Sequence, residues 1–201
     1  EILAQMKKKT QTHIRHAESN GVTVRLGDEK DLPAFYELMR ETGNRCGFLA
    51  RTYDYYEQQW RTFACRDEAI MLLAYYGDQL LGARMGFRFG NHAADLHGCS
   101  NLKQPKLRAN WLLVWEEIKW AKSLGCCTLD LWGIPDEVGE AVYESKDIPK
   151  TGPEGGLWGV YEFKRGFTKN VVYYVGAYDY VRAPLLYGPV VHMLNNQALE
   201  R

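Results

Sequence analysis

Apolar residues recur along this chain at two spacings, and the changes between them mark most of its elements. Leu3, Met6, Thr10, Ile14 and Ala17 fall at helical intervals, with Lys7, Lys8, Lys9, Arg15 and His16 largely off that stripe. This predicts one helix through residue 19, closed by Asn20-Gly21 as a C-cap. Residues 22–26 alternate as a short strand. Asp28 then precedes a helix over 29–42, in which Leu32, Phe35, Leu38 and Met39 keep helical spacing. A loop containing Gly and Asn is expected next, followed by a Tyr-rich helix over 53–64. Three strands come after it, over 69–76, 79–89 and 92–98, with Gly77-Asp78 and Gly90-Asn91 as their turns. A loop over 99–106 feeds a long helix over 107–124, with Trp111, Val114, Trp115, Ile118 and Ala121 on one face and Gly125 as its cap. Residues 128–132 read as a buried strand. The stretch 133–156 is rich in Gly, Pro and charge and reads as a long loop, a length usually tied to function. A short helix over 157–163 and a strand over 170–175 follow, with Tyr178 and Tyr180 just beyond. Pro184 opens a last helix that Gly188-Pro189 is expected to interrupt.

A strand meander followed by a strand–helix–strand unit implies an α/β domain: a mixed, mainly antiparallel sheet flanked by helices. That element order is the one of the GNAT (acyl-CoA N-acyltransferase-like) fold. The 201 residues fit one large domain, and 46% hydrophobic residues suffice for a sizeable core. Lys+Arg and Asp+Glu are both 25, which excludes a global basic field for nucleic acid or anionic membrane. Any such partner has to be met by a local patch. Cys46, Cys65, Cys99, Cys126 and Cys127 are odd in number and form no C-x-x-C pair, so they read as reduced thiols of a cytosolic protein rather than a zinc site. No cofactor is implied. The longest apolar run, 70–76, is too short to span a bilayer, and no leader peptide is recognisable. The chain opens on Glu1 rather than Met and is expected to be a piece of something longer.

Two basic stretches invite chemistry. Lys103, Lys106 and Arg108 precede the long helix, whose free N–H groups and dipole suit a phosphate. Acyl-CoA acetyltransferases carry Q/R-x-x-G-x-G/A there. This chain has Gln104-Pro105-Lys106-Leu107-Arg108-Ala109, so Leu107 replaces the glycine and Pro105 removes a donor. A solvated basic loop is the other reading. The second stretch is Phe163-Lys164-Arg165-Gly166-Phe167, two cations between two aromatics. Lysine there can serve a phosphate or an oxyanion, and an aromatic can stack on a base. Composition alone equally reads it as a basic helix end with Gly166 as cap.

The segment Tyr161-x-Phe-Lys-Arg-Gly-Phe, then Val175-Gly-Ala-Tyr-Asp and Pro184-Leu-Leu-Tyr, resembles the C-terminal end of the Fem-type aminoacyltransferases. Further stretches resemble that family in order. They are Ile14-Arg15-His16-Ala17-Glu18; Thr42-Gly43-Asn44-Arg45-Cys46-Gly47-Phe48 with Arg51 and Tyr55-Tyr56; Leu113 to Ile118 with Ala121-Lys122; and Leu129-Asp130-Leu131-Trp132-Gly133-Ile134. The resemblance covers nearly the whole chain.

It implies an aminoacyl-tRNA donor and a peptidoglycan precursor acceptor, UDP-MurNAc-pentapeptide or lipid II, in interpeptide-bridge formation for the cell wall. It also implies that 1–20 link to a missing N-terminal GNAT-like domain and that 21–201 form the second. A cytoplasmic location follows, with peripheral approach to the inner membrane face. Residue by residue, it implies Lys164 at the oxyanion or the tRNA 3′ phosphate and Phe163 beside the terminal adenosine. Arg165 is a further substrate contact. Arg51 and Tyr55, with Arg45 in the same segment, help hold the precursor. Where the family often carries tyrosines, this chain has Asp95-Leu96-His97-Gly98-Cys99-Ser100, so His97 takes over a hydrogen bond or the acceptor contact differs. No Ser-His-Asp or Cys-His constellation is evident. An acyl-CoA N-acetyltransferase, and a non-catalytic binding half, are the competing readings. The basic first helix reads as a solvated face or as a contact for tRNA.

Overall fold

The computed structural model describes residues 1–149, 152, 156–176 and 178–199. Its helices are α1 (Ile2–Gln5), α2 (Lys8–Ser19), α3 (Leu32–Cys46), α4 (Tyr53–Ala64), α5 (Ala109–Ser123), α6 (Asp136–Tyr143), α7 (Gly156–Lys164) and α8 (Pro184–Leu199). Its strands are β1 (Val22–Leu26), β2 (Ala69–Tyr76), β3 (Gln79–Phe89), β4 (His92–Ser100) and β5 (Thr128–Asp130). The strands lie in chain order, antiparallel as far as β4, and β5 runs parallel to β4. A parallel neighbour needs a crossover, and α5 supplies it. This is the mixed sheet expected from the element order.

Strand β2 is buried on both faces, which is why it reads as one unbroken apolar run. Ile70, Leu72 and Ala74 join Ile14, Ala17, Leu112, Leu113 and Val114 under α2 and α5. Met71 and Leu73 join Leu32, Phe35, Met39, Tyr56, Ala83 and Met85 under α3 and α4. Helix α5 is apolar well beyond the single expected face, because it is packed between the sheet and α2: Leu112 and Leu113 are buried, while Trp115 and Ile118 pack at the margin.

Several expectations are corrected. The first helix is broken at Met6–Lys7, where Lys7 N–H leaves the helical ladder and donates to Gly166 O at 2.9 Å. The helix expected to end at 42 runs on to Cys46 and stops at Gly47, whose φ of 75° makes the left-handed cap. Gly43 and Asn44 therefore lie in the helix; a Cβ on Gly43 would crowd Phe48 O, so the glycine permits that loop's return. Strand β5 is shorter and less buried than expected, because Trp132 takes a φ of 66° and turns the chain out. The expected loop over 133–156 contains α6, which buries Val138 and Ala141. Lys150, Thr151 and 153–155 of that stretch, and Ala177 of the 175–179 motif, lie outside the described residues. Residues 170–175 form no strand. Pro189 stands inside α8 without ending it; it lies in the second turn beside Gly188, so it removes one ladder bond near the helix start.

The chain divides into two compact units, 1–171 and 172–201. The first holds the sheet and α1 to α7. In the second, the Tyr187 hydroxyl donates to the Asp179 carboxylate at 2.5 Å beside α8. No described helix is long and apolar enough to cross a membrane.

Candidate functional site

A cavity of about 350 Å³ opens in the first unit, lined by Thr42, Asp95, Cys99, Trp132, Phe163 and Lys164 among others. Its position follows from local sequence. Asp130 at the end of β5 accepts the Trp132 N–H at 2.7 Å, a turn in which an Asp side chain holds its own backbone two residues on. That turn presents Gly133 O, which accepts from Lys164 Nζ at 2.7 Å. Lys164 is half-buried at the end of α7. Burial lowers its proton affinity to about 8; Asp95 and Asp130 pull it up and Arg84 pulls it down.

Phe163 lies edge-on to Trp111 at 5.0 Å and to Phe167 at 5.2 Å. The Arg84 guanidinium sits 5.6 Å from its ring centre. The turn after α7 is held by α2: a Cβ on Gly166 would collide with Thr10 Oγ1. Gly166 has no left-handed φ. It is there for close approach, a correction to its expected role as a helix cap.

Arg84 and Asp95 of the cavity wall belong to a charged cluster that the sequence reading missed. Arg84 Nη1 donates to Asp95 Oδ2, with both residues buried. Glu117 on α5 is fully buried beside them. A bulge between Met85 and Gly86 leaves Leu96 without a register partner, so Asp95 opposes Gly86 and Gly98 opposes Arg84. A Cβ on Gly86 would collide with Glu117 Oε1, and one on Gly98 would lie 3.0 Å from Arg84 Nη1. Two glycines therefore make room for three ionisable groups. The sequence carried a signal: Glu117 sits four residues from both Leu113 and Ala121 on a buried stripe, and Arg84 interrupts an apolar strand between Gly82 and Gly86.

The remaining candidates gather on the other face of the sheet or stand apart. Arg51 lies 5.8 Å from the centre of the Tyr55 ring, and its N–H donates to the Tyr56 hydroxyl at 3.2 Å. His97 opposes Met85, on the α3 and α4 side, where it packs 5.0 Å from Tyr56 and 6.3 Å from Tyr55. Its Nε2 pairs with Gln59 Oε1 at 2.7 Å. Burial lowers its proton affinity to about 4 against the pull of Asp95. Arg51, Tyr55 and His97 thus form one group. Arg45 is exposed on the last turn of α3. Arg165 pairs with Glu162 at 2.7 Å and lies over Tyr161. It does not line the cavity that Phe163 and Lys164 share.

A smaller cavity of about 250 Å³ faces the basic loop before α5, with Gln104, Pro105, Arg108 and Trp111 in its wall. The loop's donors are turned inward. Leu107 N–H donates to Gln104 O and Arg108 N–H to Pro105 O, while Pro105 has none to give. A pyrophosphate would meet few free backbone donors there. Trp111 stands between the two cavities, edge-on to His13 at 4.9 Å and 5.4 Å from the Arg108 guanidinium.

Comparison with known proteins bears on the family and the fold. The model of the FemAB family matches residues 1–78 and 66–195. Over 57 residues the chain is 39% identical to lipid II:glycine glycyltransferase of Staphylococcus aureus, a stretch that is 28% of this chain and 14% of that protein. Among solved structures, FemX superposes with a TM-score of 0.76 at 17% identity over 94% of this chain. The chain spans 60% of that FemX chain. An aminoglycoside acetyltransferase from an uncultured soil metagenomic sample superposes at 0.54 with 10% identity, over 82% of this chain and 99% of its own. At these identities the likeness speaks for the fold, which is that of the GNAT transferases.

Proposed function

The chain belongs to the FemAB family, and on that premise we propose that it is part of an aminoacyltransferase acting on peptidoglycan precursors, with 163–167 on the donor side. An amine of the stem peptide attacks the ester carbonyl of an aminoacyl-tRNA. The carbonyl becomes a tetrahedral oxyanion, which collapses and expels the ribose hydroxyl. The proton lost by the attacking amine balances the one gained by the leaving oxygen. The ester is already activated, so the protein contributes orientation and charge stabilisation rather than a nucleophile. Cys99, the thiol at the cavity wall, is unsuited to attack: burial pushes it up to about 12.

The observation that carries this reading is Lys164, an amine fixed on Gly133 O at 2.7 Å and lining a cavity with the Phe163 ring. A fixed cation in a partly dry site costs little reorganisation when negative charge develops. Lys164 is assigned to the oxyanion or the tRNA 3′ phosphate, and Phe163 to the terminal adenosine. Arg51 with Tyr55 and His97 is assigned to the precursor, and Arg45 and Arg165 to outlying substrate contacts. The precursor is UDP-MurNAc-pentapeptide or lipid II, met from the cytoplasm at or near the inner membrane face. Residues 21–201 are the second of two GNAT-like domains, with 1–20 as the link to the first. The inward-turned donors of the loop before α5 favour tRNA over coenzyme A as acyl carrier.

The test is transfer by the full-length protein from a panel of charged tRNAs to both precursors. Lys164→Ala should lower the rate by about a hundredfold or more, the scale of a lost preorganised stabiliser. A rate within a few-fold of wild type would remove Lys164 from the chemistry.

A further inference from the structure

Among the described residues, four buried side-chain polar atoms have no hydrogen-bond partner, and all four belong to one cluster: Arg84 Nε, Asp95 Oδ1 and both Glu117 carboxyl oxygens. Buried polar atoms are rarely left unpaired, because each has given up its hydrogen bonds to water. Asp95 Oδ2 is already taken by Arg84. Gly86, the cross-strand partner of Asp95, leaves room for the Glu117 carboxyl, which comes within hydrogen-bonding reach of the Asp95 side chain. Two ionised carboxylates are both acceptors and cannot satisfy each other. One proton between them pairs Asp95 Oδ1 with a Glu117 oxygen, two of the four orphaned atoms.

We propose that Glu117 is protonated in the working protein and donates to Asp95 Oδ1, and that it thereby acts as a positioning residue for Phe163 and Lys164 through Arg84. The electrostatics agree in direction. Burial, and then the Asp95 carboxylate, push the Glu117 carboxyl well above the usual range against the opposing pull of Arg84. The charged groups acting on it are Asp95 from β4 and Arg84 from β3; the same two act on Lys164 of α7, together with Asp130 at the end of β5. With the proton in place the Arg84–Asp95–Glu117 cluster is neutral overall. Lys164 then keeps its lowered proton affinity, and the Arg84 guanidinium stays 5.6 Å from the Phe163 ring centre. If Glu117 ionised, the cluster would gain a negative charge. That charge would bind the Lys164 proton more tightly and draw Arg84 away from Phe163.

The consequence for transfer rests on the donor-side reading of Lys164; the proton itself does not. The experiment therefore has two arms. Infrared spectra of the wild-type protein at neutral pH should contain the carbonyl band of a buried protonated carboxylic acid, shifted on deuterium exchange and absent from Glu117→Gln. In the transfer assay Glu117→Gln should stay within about threefold of wild type, because its amide donates to Asp95 from the same place. Glu117→Ala, which leaves Asp95 unsatisfied, should lose about tenfold or more. The alkaline limb of Lys164 near pH 8 should persist in Glu117→Gln, and the wild type should carry a further alkaline loss that Glu117→Gln lacks. No such band in the wild type, or a Gln variant as impaired as the Ala variant, overturns the proposal. A band that vanishes in Glu117→Gln while Lys164→Ala keeps full activity upholds the shared proton and refutes the donor-side reading.

Discussion

Lys164 and His97 both lose proton affinity to burial, and the consequences differ. Lys164 remains a cation below about 8, so the proposed service to an oxyanion would be available at neutral pH. His97 is neutral in the folded chain down to about 4, whereas an unfolded histidine protonates near 6.5. The folded state thus binds fewer protons between those values. The stability tied to the neutral ring is complete above about pH 6.5 and is lost as pH falls towards 4. The full loss is on the order of 3 kcal/mol. Urea unfolding at pH 7 and pH 4.5 should show a larger drop for wild type than for His97→Gln; equal drops would place the acid sensitivity elsewhere. At this scale the sequence pointed to Lys164 and Phe163 only through the ordered motifs around them, since composition alone reads 163–167 equally as a basic helix end. It hid Arg84 and Glu117, because a charge on an apolar stripe looks like noise until a partner is found across the sheet. Asp95 becomes that partner only through a bulge that no spacing rule locates.

Secondary elements placed by periodicity were legible to within a few residues: β1, α4, β2 and β3 run as expected. The misses share a cause, which is close backbone approach. Gly43 looked like a loop residue and is a helical one with another segment packed on it. Gly166 looked like a cap and is a contact for α2. The break between α1 and α2 was likewise invisible, since it exists to send Lys7 N–H to Gly166 O. That bond can be removed cleanly. Lys7 has a φ of −55° at the N-cap of α2, and Met6 before it is extended with a ψ of 156°, both of which proline accepts. Lys7→Pro should leave the helix content unchanged by circular dichroism and speed amide exchange at 165–167. Unchanged exchange there would mean that the turn is held by its own helix alone.

Across the whole molecule, the sheet separates two groups of residues. Phe163, Lys164 and the buried charged cluster lie on the α5 side, while Arg51, Tyr55 and His97 gather on the side of α3 and α4. On the proposed function, the donor would be held on the first side and the precursor on the second. The separation predicts separable kinetics. In the full-length protein Arg51→Ala should raise KM for the precursor several-fold with kcat and the donor KM nearly unchanged, whereas Lys164→Ala should act on kcat. A fall in kcat alone for Arg51→Ala would refute the division of labour. The architecture was legible from element order, because a meander followed by a crossover helix leaves few sheets to choose from. The separation of the two groups was not, since it depends on which face each β4 side chain takes. Trp111 adds a practical consequence. Its indole touches His13, Phe163 and Arg108 and borders both cavities. Few positions in the chain could couple ligand occupancy so directly to an emitting group. The fluorescence that Trp111→Phe subtracts from the native spectrum is therefore an intrinsic optical readout of what enters either cavity, with no label attached.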